Sequence, residues 1–387
     1  MFSRKIRLSD SLDELSVLLL GPRQTGKSTL IHDQFPKSPI FDLLSPGLFR
    51  DLQKSPDSLK ELIDPKETHP IVVDEIQKLP ELLDVVHSIV QKNRNLRFVL
   101  TGSSARKIKK HGNLLGGRAL PLFLHPITSQ EFVSVGKNQS LHKLLEIGGL
   151  PNVLCAKDPQ KILNAYVGIY LVEEIKQEGY ARNLGDFSKF LDVAALTSGE
   201  QLDFTKVGRD VQLSPRTVAS YYQVLQDTLI GYLLEPYKAT KTRKAVTTPK
   251  FYLFDVGVCQ YLVGREKISP GTPEFGRSLE HFIFTELIAY KDYLEKRVEI
   301  NYWRSTSQLE VDFLVRSKDG TNIAIEVKGS NHIDQGDLRG IKALSDDLKL
   351  SKKIIVSNEK LKRRIADEFL VYPYAEFCRD LWAGKLF

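Results

Sequence analysis

Cysteine is scarce in this 387-residue chain, and its three copies, Cys155, Cys259 and Cys378, stand far apart. Without paired spacing they offer neither a disulfide framework nor a zinc site. Long hydrophobic runs are missing too: no apolar stretch approaches the roughly 18–20 residues that span a bilayer. The segment Met1-Phe2-Ser3-Arg4-Lys5-Ile6-Arg7 leads into polar sequence and not into the apolar core of a signal peptide. These absences predict a cytoplasmic protein with no membrane partner. Repeats and low-complexity tracts are absent as well. Neither sign of charge dominates, with 55 Lys and Arg against 48 Asp and Glu for a net charge of +7. So modest an excess does not by itself establish a nucleic-acid partner. The apolar share of 42% and charged share of 27% are ordinary for a soluble protein. The length predicts two to four domains, each with its own core.

What is present begins at residues 21–29, Gly21-Pro22-Arg23-Gln24-Thr25-Gly26-Lys27-Ser28-Thr29, directly after the apolar run Val17-Leu18-Leu19-Leu20. A buried strand, a glycine-rich turn and a helix starting near Lys27 form the arrangement that a nucleoside triphosphate needs. Gly21 and Gly26 permit backbone angles that aim consecutive N–H groups at phosphates. The helix N-terminus adds partial positive charge. Lys27 is suited to the β- and γ-phosphates and the Ser28 hydroxyl to Mg²⁺. Downstream, Ile71-Val72-Val73-Asp74-Glu75 reads as an apolar strand ending in two acids. Phosphoryl transfer needs one carboxylate for the Mg²⁺ shell and another group to orient water, roles that suit Asp74 and Glu75 in turn. A further strand, Leu96–Leu100, runs into Thr101-Gly102-Ser103-Ser104. Ligands gather at the carboxyl ends of strands in open α/β sheets, so Thr101, Ser103 or Ser104 is placed to meet the γ-phosphate or the water. A hydroxyl-rich turn that caps the next helix is the alternative.

Four segments follow from the patterning. Residues 1–135 alternate short apolar strands with helical stretches, which predicts a parallel sheet covered by helices. Residues 136–185 read as a small helical lid, with helices over Leu141–Ile147 and Pro159–Gln177. Residues 186–250 offer helices at Phe187–Thr197, Phe204–Val211 and Arg216–Thr228, then the strand-like Leu229–Leu234, the order of a winged helix-turn-helix. The candidate recognition helix offers Arg216, Thr217, Ser220, Tyr221, Tyr222 and Gln223. The candidate wing, Lys238 to Lys250, holds Lys238, Lys241, Arg243, Lys244 and Lys250 with no acid. Beside such a helix pair these cations fit nucleic-acid phosphates, DNA in particular. A solvated loop or a protein-binding winged helix is the alternative. Residues 251–387 contain a periodic helix, Ser278–Tyr290, and strands Leu309–Arg316 and Asn322–Lys328 joined by an Asp-Gly turn.

That hairpin carries Asp312, Glu326 and Lys328. Strand alternation sends Glu326 and Lys328 to one side, and Asp312 on the adjoining strand meets them across the turn. Two carboxylates and an amine there suit a divalent ion and a polarised water, as phosphodiester hydrolysis requires. Glu280 on the preceding helix offers a third carboxylate. Surface ion pairs are the alternative reading of the same residues.

The order of these motifs resembles a family of bacterial and archaeal AAA-type ATPases in which a P-loop domain precedes a C-terminal domain of long-uncharacterised function. The resemblance covers nearly the whole chain. It rests on Gly21–Thr29, Ile71–Gln77, Leu100–Ser104, Gly116-Gly117-Arg118, Gly148-Gly149-Leu150-Pro151, the helix-turn-helix, Leu253-Phe254-Asp255-Val256-Gly257 and the Arg277–Glu286 helix. The Glu280, Asp312, Glu326-x-Lys328 pattern looks like the PD-(D/E)xK nuclease core, similar to restriction endonucleases and Holliday-junction resolvases. Val311 stands where that pattern often has proline, and related domains have lost catalysis. The resemblance implies an α/β fold: a P-loop AAA-type ATPase core with helical lid, a winged helix-turn-helix and a restriction-endonuclease-like C-terminal domain. It implies ATP and Mg²⁺, with Mn²⁺ as an alternative at the nuclease-like site, where Glu280, Asp312 and Glu326 are the ligands and Lys328 the catalytic amine. It also implies that Arg118 acts as an arginine finger on a neighbouring subunit, hence a homo-oligomer, with Arg106 as competitor. The function these features imply is a Mg²⁺-dependent ATPase acting on nucleic acid, with ATP hydrolysis coupled to or gating the nuclease-like C-terminal domain as a metal-dependent DNA endonuclease. A nucleotide-controlled scaffold with an inactive nuclease fold and a triggered effector are the alternatives.

Overall fold

The structure, a computed structural model, describes residues 2–104, 117–136, 140–171, 183–240 and 243–387. Arg106, Gly116, Lys241 and the end of the expected Pro159–Gln177 helix lie outside the described residues. The chain divides into two compact units, one of Arg4–His125 with Asp227–Leu229, the other chiefly of Pro126–Gln226 and Ile230–Phe387.

The first unit is built on five parallel strands: β1 (Ser16–Leu20), β2 (Ile40–Asp42), β3 (Ile71–Asp74), β4 (Phe98–Gly102) and β5 (Ala119–Phe123). Their spatial order is β2-β3-β4-β1-β5. Every residue of β1 and β4 is buried, the condition that makes a parallel strand read as an unbroken apolar run. Pro121 sits on the outer strand β5, where a missing N–H costs no ladder bond. Leu18, Leu20, Val73 and Leu100 pack with Leu82, Val86 and Ile89 of a covering helix in one core. Two helices matter to the site, α1 (Lys27–Gln34) and α2 (Leu82–Lys92). The order sets β4 between β1 and β3, with Leu19 beside Thr101 and Val73 beside Leu100. The ends of β1, β3 and β4 therefore meet.

In the second unit the helices are α3 (Ser129–Val133), α4 (Leu184–Leu196), α5 (Phe204–Val211), α6 (Pro215–Asp227), α7 (Val256–Leu262) and α8 (Pro273–Tyr293). A two-stranded ribbon pairs β6 (Gly231–Leu234) with β7 (Lys250–Leu253). The six-stranded sheet runs β12-β13-β11-β10-β9-β8. Its strands are β8 (Val298–Arg304), β9 (Glu310–Ser317), β10 (Asn322–Lys328), β11 (Lys352–Ser357), β12 (Arg363–Ile365) and β13 (Phe369–Pro373). Strand β10 is buried on both faces. Ile323, Ile325 and Val327 belong to the core that includes α8, while Ala324 packs with Ile341 of α9 (Arg339–Ser345). One core runs from Phe187 and Phe190 through Tyr222 and Phe251 to Phe284 and Phe313. The segments read as lid, winged helix and C-terminal domain thus share an interior, and the unit boundary falls at Pro126.

Two glycine-bearing sequences of this unit meet at Asp255. Its carboxylate caps α7 by accepting the Val258 N–H at 2.9 Å, and it accepts the Gly149 N–H at 2.7 Å. Burial raises its pKa to about 6 against those bonds. A Cβ on Gly257 would lie 2.0 Å from the Ile147 carbonyl oxygen, and Gly148 takes a φ of +73° against the Asp255 carboxylate. Backbone packs on backbone here. Gly257→Ala should cost about 1–3 kcal/mol or more by overpacking, whereas Gly276→Ala, whose Cβ finds its nearest neighbour at 3.8 Å, should be neutral or better. Urea unfolding of the two variants against the wild type measures the difference.

Candidate nucleotide site and the C-terminal carboxylate cluster

The loop between β1 and α1 is a cradle of backbone. Gln24 and Gly26 take φ values of 62° and 95°, the left-handed turns that point successive N–H groups inward. A Cβ on Gly21 would lie 2.4 Å from the Leu124 carbonyl oxygen, so only glycine fits at the strand exit. The Gly21 N–H bonds to the Gly102 carbonyl, which fastens the loop to the end of β4. Thr25 donates to the Pro22 carbonyl at 2.8 Å, and Arg4 donates to the Thr25 carbonyl at 2.7 Å. Pro22 and Thr25 are buried, Arg23 and Gln24 half-buried, and Ser28 and Thr29 exposed. The buried Lys27 ammonium donates to the carbonyls of Gly21 at 2.7 Å and Pro22 at 3.0 Å, which holds it over the loop mouth.

Opposite stands the acid end of β3. Ser28 donates to Asp74 Oδ2 at 3.1 Å, bringing together the hydroxyl and carboxylate suited to Mg²⁺. Thr101 donates to Asp74 Oδ1 and accepts the Glu75 N–H at 3.1 Å. One hydroxyl on β4 therefore grips both sides of the Asp74–Glu75 junction. Glu75 sits at φ 60°, a left-handed conformation that a non-glycine residue holds only where its surroundings impose it. Gln77 donates to Glu75 Oε2 and to Ser103 Oγ, the latter at 3.0 Å. Ser104 donates to the Asp227 carbonyl at 3.4 Å. Gln77 has a positioning place that the sequence reading did not give it, though its spacing after Glu75 was visible. The donors present fit a magnesium-bound triphosphate: a cationic ammonium, inward N–H groups, and a hydroxyl–carboxylate pair.

Arg118 lies at the other end of the sheet. Its carbonyl accepts the Ser16 N–H at the start of β1, whereas the loop follows β1's last residue. A five-residue strand separates them by roughly 16 Å. Its guanidinium rests on His87 Nε2 of α2. Arg118 does not reach its own chain's loop.

In the C-terminal unit Asp312, Glu326, Lys328 and Glu280 do come together, with two further residues. Val327 donates its N–H to Asp312 Oδ2 at 2.7 Å, just past the last ladder pair, Ile325 with Phe313. Lys328 donates to Glu326 Oε1 at 2.6 Å. Lys250, at the start of β7 and 4% exposed, places its ammonium 3.0 Å from Glu280, 2.5 Å from Glu310 and 3.9 Å from Asp312. Glu280 also accepts the Tyr252 hydroxyl at 2.6 Å, and Arg304 lies 3.1 Å from Glu310. Burial opposes the Lys250 charge, but Glu280 and the other carboxylates outweigh it and hold its pKa well above the usual value. Burial, then Glu326 and Glu280, push Asp312 well above the carboxylate range. Burial pushes Glu326 up to about 7 against the pull of Lys328.

This donor set does not fit the Mg²⁺ or Mn²⁺ expected from Glu280, Asp312 and Glu326. Glu280 is taken by Lys250 and Tyr252, and one Asp312 oxygen by a backbone N–H. Among the described residues no group of three or more His, Cys, Asp or Glu side chains is arranged to hold a metal ion. Sequence reading missed Lys250 as part of this cluster because it counted that residue among the wing cations. Glu310 had a signal, since it lies two residues from Asp312 on one strand.

The expected nucleic-acid contacts divide. Arg216, Lys238 and Lys244 are exposed. Arg243 is bound to Asp346 at 2.7 Å and to the Ala343 carbonyl at 2.9 Å, so it is not available as a free wing cation. Lys241 is outside the described residues. Tyr221 and Tyr222, read as recognition-helix surface, are buried; Tyr222 meets Phe190 and Phe251 edge-on. Residues 235–237 and 244–246 follow the edge of β8. Tyr237 donates to the Tyr302 carbonyl at 2.7 Å and Val246 to the Arg304 carbonyl at 2.9 Å. The segment read as a projecting wing closes a sheet edge. No helix among the described residues is long and apolar enough to cross a membrane.

Comparison with known proteins agrees with the first unit. Residues 13–133 match the family described as AAA domain, residues 138–269 a domain of unknown function (DUF8612) and residues 275–377 another (DUF4143). An uncharacterized protein of Mycobacterium tuberculosis is 25% identical over 369 residues, 92% of this chain and 79% of the relative. One of Haemophilus influenzae is 22% identical over 347 residues, 81% of this chain and 84% of the relative. Among solved structures, a STAND ATPase with a tetratricopeptide repeat sensor from Pyrococcus horikoshii matches 76% of this chain and 50% of its own, at 14% identity and TM-score 0.26. The Aeropyrum pernix ORC1 protein in complex with DNA matches 64% of this chain and 86% of its own, at 12% identity and TM-score 0.27. The assignment rests on the AAA match and the loop geometry: the first unit is an AAA-type P-loop ATPase domain.

Thr101 gives the site its sharpest test. Thr101→Val keeps the shape and removes both hydrogen bonds to the Asp74–Glu75 junction. Hydrolysis should fall by roughly 10–100-fold, the usual effect of losing a group that orients a metal ligand. Affinity for ATP should hold within a few-fold, measured by titration beside steady-state turnover.

Proposed function

We propose that this chain is a magnesium-dependent ATPase whose nucleotide cycle controls binding of nucleic acid by its second unit. The carrying observation is the convergence of Lys27, Ser28, Asp74 and Glu75 at the joined ends of β1, β3 and β4. In this reading Gly21–Thr29 wraps the phosphates, Lys27 holds the β- and γ-phosphates, and Ser28 and Asp74 hold Mg²⁺. When bound, Mg²⁺ neutralises charge on the phosphates during transfer. Glu75, steadied by Gln77, orients the attacking water, and Thr101 and Ser103 set the polar wall beside it. Lys27→Ala should largely abolish nucleotide binding. Glu75→Gln should bind ATP and lose turnover; normal turnover in that variant would move the water-orienting role elsewhere.

Arg118 acts, in this reading, on the γ-phosphate of a second copy, which makes the active species a homo-oligomer. Its position at the far end of the sheet from its own loop supports that role. Arg118→Ala should bind ATP and hydrolyse poorly, and mixing it with Lys27→Ala subunits should restore part of the activity. Absence of rescue, with a monomeric active species in sedimentation, would exclude the trans contact.

For nucleic acid, DNA being the first candidate, the exposed Arg216, Lys238 and Lys244 are the proposed phosphate-binding cations. Their replacement with Ala should weaken binding alike across sequences. On duplex DNA it should also flatten the log–log salt dependence by about 0.9 for each phosphate left without its cation. An unchanged slope would remove this surface from consideration. We read the nuclease-like C-terminal domain as a binding fold. The Asp312, Glu326 and Lys328 constellation resembles a cleavage site, but Lys250 stands among its carboxylates.

A further inference from the structure

We propose that the Lys250 ammonium is the resident cation of the C-terminal carboxylate cluster and closes it to divalent metal ions. Lys250 comes from the ribbon strand β7, not from the sheet that carries Asp312 and Glu326. Its backbone is fixed by pairing with Leu234 and by a bridge to Gln201, so the side chain enters from a rigid element. The ammonium reaches Glu280 of α8 and Glu310 and Asp312 of β9 at once, and lies 5.4 Å from the centre of the Tyr302 ring. Three acids around one buried monovalent cation is a set that a divalent ion would otherwise compensate.

Ammonium and metal exclude each other here. Mg²⁺ needs oxygens at roughly 2.0–2.1 Å in a near-octahedral shell. The oxygens that Glu280 and Glu310 offer inward already face Lys250. A second cation among them meets repulsion in a region that water screens weakly. One acceptor is left over: Glu326 Oε2 is buried and has no hydrogen-bond partner. With the ammonium gone, Glu280 and the Oδ1 of Asp312 lose the cation they share, and a divalent ion becomes the available counter-charge. Lys250 makes the cluster an internal ion-pair hub in place of a metal site.

The test uses the full chain, free of nucleotide, and counts bound Mn²⁺ from the loss of the free aquo-ion signal in electron paramagnetic resonance. Wild type and Asp312→Asn should bind Mn²⁺ alike. Lys250→Met, close in shape and uncharged, should gain one site at least tenfold tighter than any in wild type, and Lys250→Met/Asp312→Asn should lose it. A wild-type Mn²⁺ site that disappears in Asp312→Asn overturns the proposal without any Lys250 variant. A folded Lys250→Met with no added site overturns it as well. Should Lys250→Met not fold alone, its folding upon addition of Mn²⁺ supports the proposal, and its failure to fold at any Mn²⁺ concentration counts against it.

Discussion

The second unit depends on buried charge that is paired inside the fold. Lys250 joins β7, α8 and β9 through Glu280, Glu310 and Asp312, elements far apart in sequence. A buried ion-paired group of this kind contributes little net stability over an apolar replacement, but removing one partner strands the others at several kcal/mol. The cost of disorder at that point is therefore high, and the ribbon, the helix and the sheet are held in one arrangement. The same compensation explains why a carboxylate constellation of hydrolytic appearance need not hold a metal.

The first unit solves a different problem, that of placing groups from separate strands at one point. Parallel strands deliver their carboxyl ends to one side of the sheet, and the insertion of β4 between β1 and β3 places Thr101 against Asp74 and Glu75. The loop is tied to β4 through Gly21 and Gly102. Phosphate cradle and acids are thus set by sheet register and not by flexible side chains alone, the kind of support that a preorganised site requires.

The second unit also contains the segment read as a wing. Its basic character suggested a phosphate-binding wing, yet Glu235, Tyr237 and Val246 make backbone hydrogen bonds with β8 and Arg243 is held by Asp346. An exposed sheet edge is a liability for aggregation, and covering it uses the same residues that composition alone would assign to phosphate binding. Lys238 and Lys244 remain exposed.

Local pattern determined much of this protein. The apolar runs at Val17–Leu20, Ile71–Val73 and Phe98–Thr101 became strands within a residue or two of their expected ends, and Phe204–Val211 and Asn322–Lys328 fell as read. Those elements carry their signal in consecutive residues: burial on both faces, an N-cap such as Asp203, or an Asp-Gly turn. The phosphate loop was legible for the same reason, since its chemistry is packed into nine adjacent positions. Strands β8, β12 and β13 were not read: β12 is only three residues long, β13 is a short apolar run that periodicity does not assign, and each is fixed by pairing with its neighbours. Nor did sequence show that Tyr222 belongs to a core, that Arg243 is paired, or that Lys250 turns inward to Glu280 and Glu310. Each of those depends on which distant element arrives at that side chain, and the balance of desolvation against partner charge is settled only once the chain has closed around it.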